Sequence, residues 1–145
     1  MRAAAWIVLA LLAAMPAAGR VAPFTVEGDA IAAPLDGLAG DAARGAAVLR
    51  NRETANCLIC RAIPDPAERF MGDVGPPLDG VGARLTRGQI RLRVVDPTRV
   101  NPASVMPAYH RVEGLVRVDP RWRGRPVLTA QEIEDVVAYL ATLTQ

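Results

Sequence analysis

Residues 56–64, NCLICRAIP, decide how this chain is read. Cys57 and Cys60 stand at C-x-x-C spacing, and Arg61 follows. With His at position 61 the stretch would be C-x-x-C-H, a c-type haem attachment signature. Other uses of such a pair fit less well. A disulfide here closes too short a loop to restrict the unfolded chain much. A zinc site takes about four ligands, and the inventory is these two cysteines, the single histidine His110 and carboxylates. A redox C-x-x-C belongs in a strand–helix–strand setting, and no strand-like run precedes Cys57. Haem attachment needs two thiols about one turn apart. Position 61, four residues after Cys57, shares its face in a helical turn.

A second axial ligand has to come from elsewhere in the chain, and a Met thioether there raises the reduction potential. Met106 is the candidate, in the loop SVMPAY, with Pro107 after it to stiffen the backbone. His110 lies four residues further on, with Pro107 between. It is read as a partly exposed loop histidine and not as a ligand.

Outward from this stretch the signals are helical. Asp41 caps a helix running through Ala42, Ala46, Val48 and Leu49 towards Asn51. Thr86 and Gln89 form a capping box that opens TRGQIRLRVVD, with Ile90, Val94 and Val95 as inner face and Asp96-Pro97 as its end. Thr129 and Glu132 form another, opening TAQEIEDVVAYLATLT. There Ile133, Val136, Val137, Leu140 and Ala141 make one apolar stripe, extended by Tyr139 and Leu143. Glu132, Glu134 and Asp135 sit where the helix dipole favours negative charge. Pro64 to Pro77 is a loop, continued through turns at Gly80 and Gly82. Residues 112–128 read as irregular or short-strand structure.

The chain has 145 residues, enough for one domain, and a formal net charge of +2, too small to imply nucleic acid or an anionic membrane as partner. All 17 basic residues are arginine, and aromatics make up 4%. Arg2, the apolar run Ala3 to Ala14 and the small residues of MPAAGR follow the plan of a secretory signal peptide, residues 1–19, with cleavage expected between Ala18 and Ala22. The run is short for a membrane span, so the mature chain is expected to be exported and free of the membrane. Residues 20–39 form an N-terminal arm and residues 40–145 the domain.

In the order of these elements the chain resembles class I cytochromes c, and more closely the SoxX family, the small cytochrome subunits of SoxAX complexes in bacterial sulfur oxidation. The matching stretches are GDAARGAAVLRNRETANCLIC, GPPLDGVGARLT, SVMPAYHRVEGLVRV and PVLTAQEIEDVVAYLATL. The resemblance implies an all-α, cytochrome c-type domain with long loops around one covalent haem c. It implies Cys57 and Cys60 as thioether anchors and Met106 as distal iron ligand. It also makes the Pro76 carbonyl the acceptor of a hydrogen bond from the proximal His. That His is Arg61 here, and a guanidinium has no lone pair for iron. A one-base error or mutation, altered ligation and loss of haem are all open readings of this departure.

The resemblance further implies a periplasmic heterodimer with a SoxA-like cytochrome. It implies a SoxYZ-like carrier whose cysteine is coupled to thiosulfate, an L-cysteine S-thiosulfotransferase reaction, and a downstream electron acceptor. Catalysis would sit on the partner; no base-and-nucleophile pair is visible in this chain. The alternatives are a haem-free or mis-ligated structural subunit of the same complex, a generic small periplasmic cytochrome c, and a C-x-x-C thiol redox protein.

Overall fold

The computed structural model describes residues 19–145; the apolar N-terminal run lies outside them. Four α-helices form among the described residues: α1 (Ala42–Arg50), α2 (Val81–Arg84), α3 (Arg87–Val95) and α4 (Ala130–Leu140). Among the described residues the only β pairing is an isolated bridge between Glu27 and Ala30. The fold is all-α, as expected.

Each long helix starts where its cap chemistry dictates. The Asp41 carboxylate accepts from the Arg44 N–H at 2.8 Å. Thr86 and Gln89 satisfy each other's backbone N–H groups at 3.2 and 2.9 Å, and Thr129 and Glu132 do the same at 3.2 and 2.8 Å. The buried stripe of α4 is Ile133, Val136, Val137 and Leu140, each under 7% exposed. It packs across α1 and α3. The crossing with α1 is backbone against backbone, because a Cβ at Gly45 would overlap the Asp135 carbonyl. In α3 the buried side chains include Leu92 and Arg91 as well as Ile90, Val94 and Val95.

Helix α2 is a difference from the sequence expectation, which continued the loop through Gly80 and Gly82. The turn forms because the chain's end supplies its partners. The Gly80 N–H donates to the Gln145 carbonyl at 2.6 Å, and the Gly82 N–H to that of Leu143 at 2.8 Å. Residues 112–128 hold no strand, only a 3₁₀ turn at Pro120–Trp122.

The N-terminal arm packs on the domain through buried Ala22, Ile31 and Leu35. A buried ion pair holds it. Arg91 and Glu134, each 4% exposed at the side chain, meet at 2.7 and 2.8 Å. Arg91 also donates to the Ile31 carbonyl at 2.6 Å, while Glu134 accepts the Leu35 N–H at 2.9 Å. Asp135 accepts the Asp41 N–H at 2.7 Å and a forked pair from Arg44 at 2.8 Å. Burial works against its charge, but these donors outweigh it and hold the carboxyl below the usual carboxylate range. Glu134 and Asp135 are therefore tertiary hubs more than partners of the helix dipole.

Candidate functional site

Asn56 opens the site. It sits in the left-handed region at φ 47°, a conformation that asparagine tolerates better than most residues. This reverses the chain into a 3₁₀ turn, Cys57–Ile59. The N–H groups of Cys60 and Arg61 both reach back to the Cys57 carbonyl at 3.2 Å. Leu58, 1% exposed, anchors the turn in the core, while Ile59, 60% exposed, points to solvent. Cys57, Cys60 and Arg61 are left facing one cleft. Both cysteines are free thiols.

The Pro64–Pro77 loop folds back along this turn. Backbone bonds of 2.8 Å run from Gly72 to Leu58, from Gly75 to Cys60 and from Leu78 to Ala62. Arg61 closes the series: its Nη1 donates to the Pro76 carbonyl at 2.9 Å. The guanidinium lies close over Gly75, where a Cβ would be 2.9 Å from its central carbon and would make the side chain shift. Arg61 thus takes, as donor, the acceptor that the resemblance assigns to a histidine.

The opposite wall comes from the loop after α3. Met106, half-buried, lines the same cleft with Pro107 and Tyr109. Tyr109 links the two walls, its hydroxyl donating to the Ala55 carbonyl at 2.7 Å. Burial and the neighbouring Cys57 sulfur push its phenol above the usual range. The floor is apolar, with Leu49 from α1, Ile90 and Val94 from α3, and Val136 and Leu140 from α4. The structure therefore brings Cys57, Cys60, Arg61 and Met106 to one cleft, with Pro76 bonded at its edge.

Burial pushes the Cys57 thiol up to about 11. Catalytic C-x-x-C pairs work the other way, with a lowered pKa that exposes a thiolate. The surroundings of Cys57 thus do not favour a thiolate. Among the described residues no group of three or more His, Cys, Asp or Glu side chains converges as a metal site.

His110 corrects the sequence reading of a partly exposed histidine: it is 1% exposed. Its Nε2 accepts the Ala22 N–H at 2.9 Å, and its Nδ1 lies 2.7 Å from the Leu128 carbonyl. Only the neutral ring with its proton on Nδ1 satisfies both. The ring pins the arm to the loop before α4 and is no part of the cleft wall. The sequence held no local signal for this, as the partner Ala22 is 88 residues away.

Burial lowers the His110 pKa below its usual 6.5. The neutral form is the one folded, so its stabilisation is complete above pH 6.5 and is lost as pH falls through the lowered value. Thermal melts from pH 7.5 down to 5 are expected to show a falling Tm, and His110→Gln is expected to flatten that slope. The carboxylates with lowered pKa, Asp29, Asp65, Asp119 and Asp135, start from 3.8 and act below this window. An unchanged slope in the variant would assign the pH dependence elsewhere.

No family model and no curated protein matches the chain. Among solved structures it is similar to a chain of the crystal structure of SoxXA from P. pantotrophus. The two are 34% identical over 84% of this chain and 95% of that one, with a TM-score of 0.77.

Proposed function

The chain belongs to the SoxX family and is a subunit of a SoxAX-type complex; from that premise we propose that it relays single electrons through one haem c held by Cys57 and Cys60. The observation that carries this reading is the cleft itself. Two thiols from one turn and a thioether from the opposite loop line a single apolar recess. The residues fit haem on the attachment side and on the Met106 side, and do not fit it at position 61, where a guanidinium has only donors.

Haem bound there would supply one-electron redox chemistry. The chain's own contribution is attachment through Cys57 and Cys60, a dry apolar floor, and a Met106 thioether that favours the ferrous state. The partner in this reading is a SoxA-like cytochrome subunit. A SoxYZ-like carrier presents a cysteine thiol to thiosulfate. When the sulfur–sulfur bond forms, two electrons and the thiol proton leave. The electrons pass singly to a downstream acceptor. The N-terminal pattern supports a periplasmic setting for this chemistry.

A second reading is favoured by one observation, the Arg61–Pro76 bond. It holds the cleft loop in place with no prosthetic group, as a haem-free structural subunit would require. Intact mass, a pyridine haemochrome spectrum and a thiol titration separate the two. They are made on the full chain exported from a host with haem-attachment machinery. The electron-transfer reading expects the mass of one added haem, a c-type band and no titratable thiol. An apo mass with two thiols would overturn it, and binding of that colourless protein to a SoxA-like partner would support the structural subunit instead.

A further inference from the structure

Residues 111–125, RVEGLVRVDPRWRGR, hold five arginines against Glu113 and Asp119, a net +3. The whole chain carries only +2, so its positive excess is concentrated in this one segment. The segment is fixed at both ends. Arg111 donates to Asp96 at 3.1 Å and to Thr98 at 3.0 Å, and Leu128, fully buried, seats the far end in the core. Between them Asp119 caps the 3₁₀ turn at Pro120–Trp122, accepting the Arg121 N–H at 2.8 Å. The Arg125 guanidinium lies 5.0 Å from the centre of the Trp122 ring.

Two arginines are left over. Arg111 is paired with Asp96 and Arg121 with Asp119, whereas Arg117 and Arg123 make no side-chain hydrogen bond or ion pair among the described residues. Asp119 feels Arg123 only at a distance. Arg117 and Arg123 line one open recess, whose apolar wall is Val112, Leu115, Val118 and Trp122. Arg117 stands there at φ 56°, a left-handed conformation that glycine takes at less cost. Val116 beside it is 86% exposed. The loop thus presents a preformed apolar hollow with two unpaired guanidiniums at its edge.

We propose that residues 111–125 dock the acidic face of a transient protein partner, which seats an apolar side chain in the recess and sets carboxylates against Arg117 and Arg123. Arginine and carboxylate meet there in charge-assisted hydrogen bonds. A free oxyanion would use the guanidiniums and leave the apolar wall without a partner. A permanent subunit would call for a different surface, since the core of a stable interface is depleted of charged residues. Exposed charges at a rim act on encounter instead: they steer the approach and sort partners by sign. This inference goes beyond the proposed function and needs nothing bound in the cleft.

The test titrates the full exported chain into a fluorescein-labelled peptide, Glu-Glu-Leu-Phe-Glu-Glu, and reads anisotropy at about 20 and about 200 mM salt. Trp122 is the one tryptophan of residues 19–145, so its indole N–H resonance in an isotope-labelled sample reports on the recess itself. The expected result is saturable binding that moves this resonance and weakens about tenfold at the higher salt. Arg117→Glu combined with Arg123→Glu is expected to weaken binding about tenfold or more, because like charges then meet across the contact. Arg69→Glu combined with Arg87→Glu changes the net charge equally outside the recess and is expected to keep most of the affinity. Equal losses in the two double variants would overturn the site by reducing it to net charge. Binding that leaves the Trp122 resonance unmoved, or no saturable binding at low salt, would overturn it as well. So would displacement of the peptide by thiosulfate beyond that by chloride of equal ionic strength, which would make the recess an oxyanion site. No outcome reads haem, so the electron-transfer reading stands or falls separately.

Discussion

Arg61→His in haem-loaded protein is expected to yield a six-coordinate, low-spin ferric spectrum with Met106 opposite the new ligand. The structure has already prepared the receiving side. The Pro76 carbonyl sits where the guanidinium uses it at 2.9 Å. An imidazole at the same position can donate one ring N–H to that carbonyl and turn the other nitrogen, with its lone pair, to the metal. A ligating histidine is normally oriented in this way by a backbone acceptor. Arginine at 61 offers only the first half of that arrangement. In the Arg61→His protein, a further Met106→Ala change is expected to lower the reduction potential, since the thioether favours ferrous iron. A spectrum that stays high-spin after Arg61→His would falsify the ligand geometry, and a potential indifferent to Met106→Ala would remove that residue from the site.

Glu134→Ala is expected to cost about 3–5 kcal/mol of folding stability, the range for breaking a buried ion pair by removing one partner. The Arg91 guanidinium would stay buried with its charge uncompensated, and the Leu35 N–H would lose its acceptor. Both losses fall on the N-terminal arm, so its backbone should become the first site of limited proteolysis. Urea unfolding of wild type and variant measures the cost. Converting both residues to leucine is expected to be milder than Glu134→Ala alone, because no charge is then left unpaired. A loss below about 1 kcal/mol, the level of an exposed pair, would show that burial of this pair is not what secures the arm.

The parts of this fold that were legible in the sequence are those set by neighbours in the chain. Asp41, Thr86 with Gln89, and Thr129 with Glu132 lie within three residues of the N–H groups they satisfy, so their helices could be placed from spacing alone. Helix α2 could not, because its support is the chain's end at Leu143 and Gln145. Glu134 and Asp135 looked like favourable first-turn charges. Their deciding partners, Arg91, Leu35, Asp41 and Arg44, are 43 to 99 residues away. His110 follows the same rule, since its partner Ala22 is 88 residues away. At the site, the resemblance to cytochromes c named Cys57, Cys60, Pro76 and Met106. The new donor to Pro76 was invisible, because no family pattern says what an arginine does at a histidine's position.

The arm's attachments also impose an order of events. Ala22 waits for His110 and Leu35 for Glu134, as does Asp41, at the domain's own start, for Asp135, at separations of 88, 99 and 94 residues. These three backbone N–H groups thus acquire their acceptors only when most of the described chain is present. Long-range closures of this kind slow folding. The arm can meet Gly88, Gln89, Arg91 and Arg93 through Ile31 and Asp29 earlier, but a chain truncated before α4 lacks the acceptor of the Leu35 N–H.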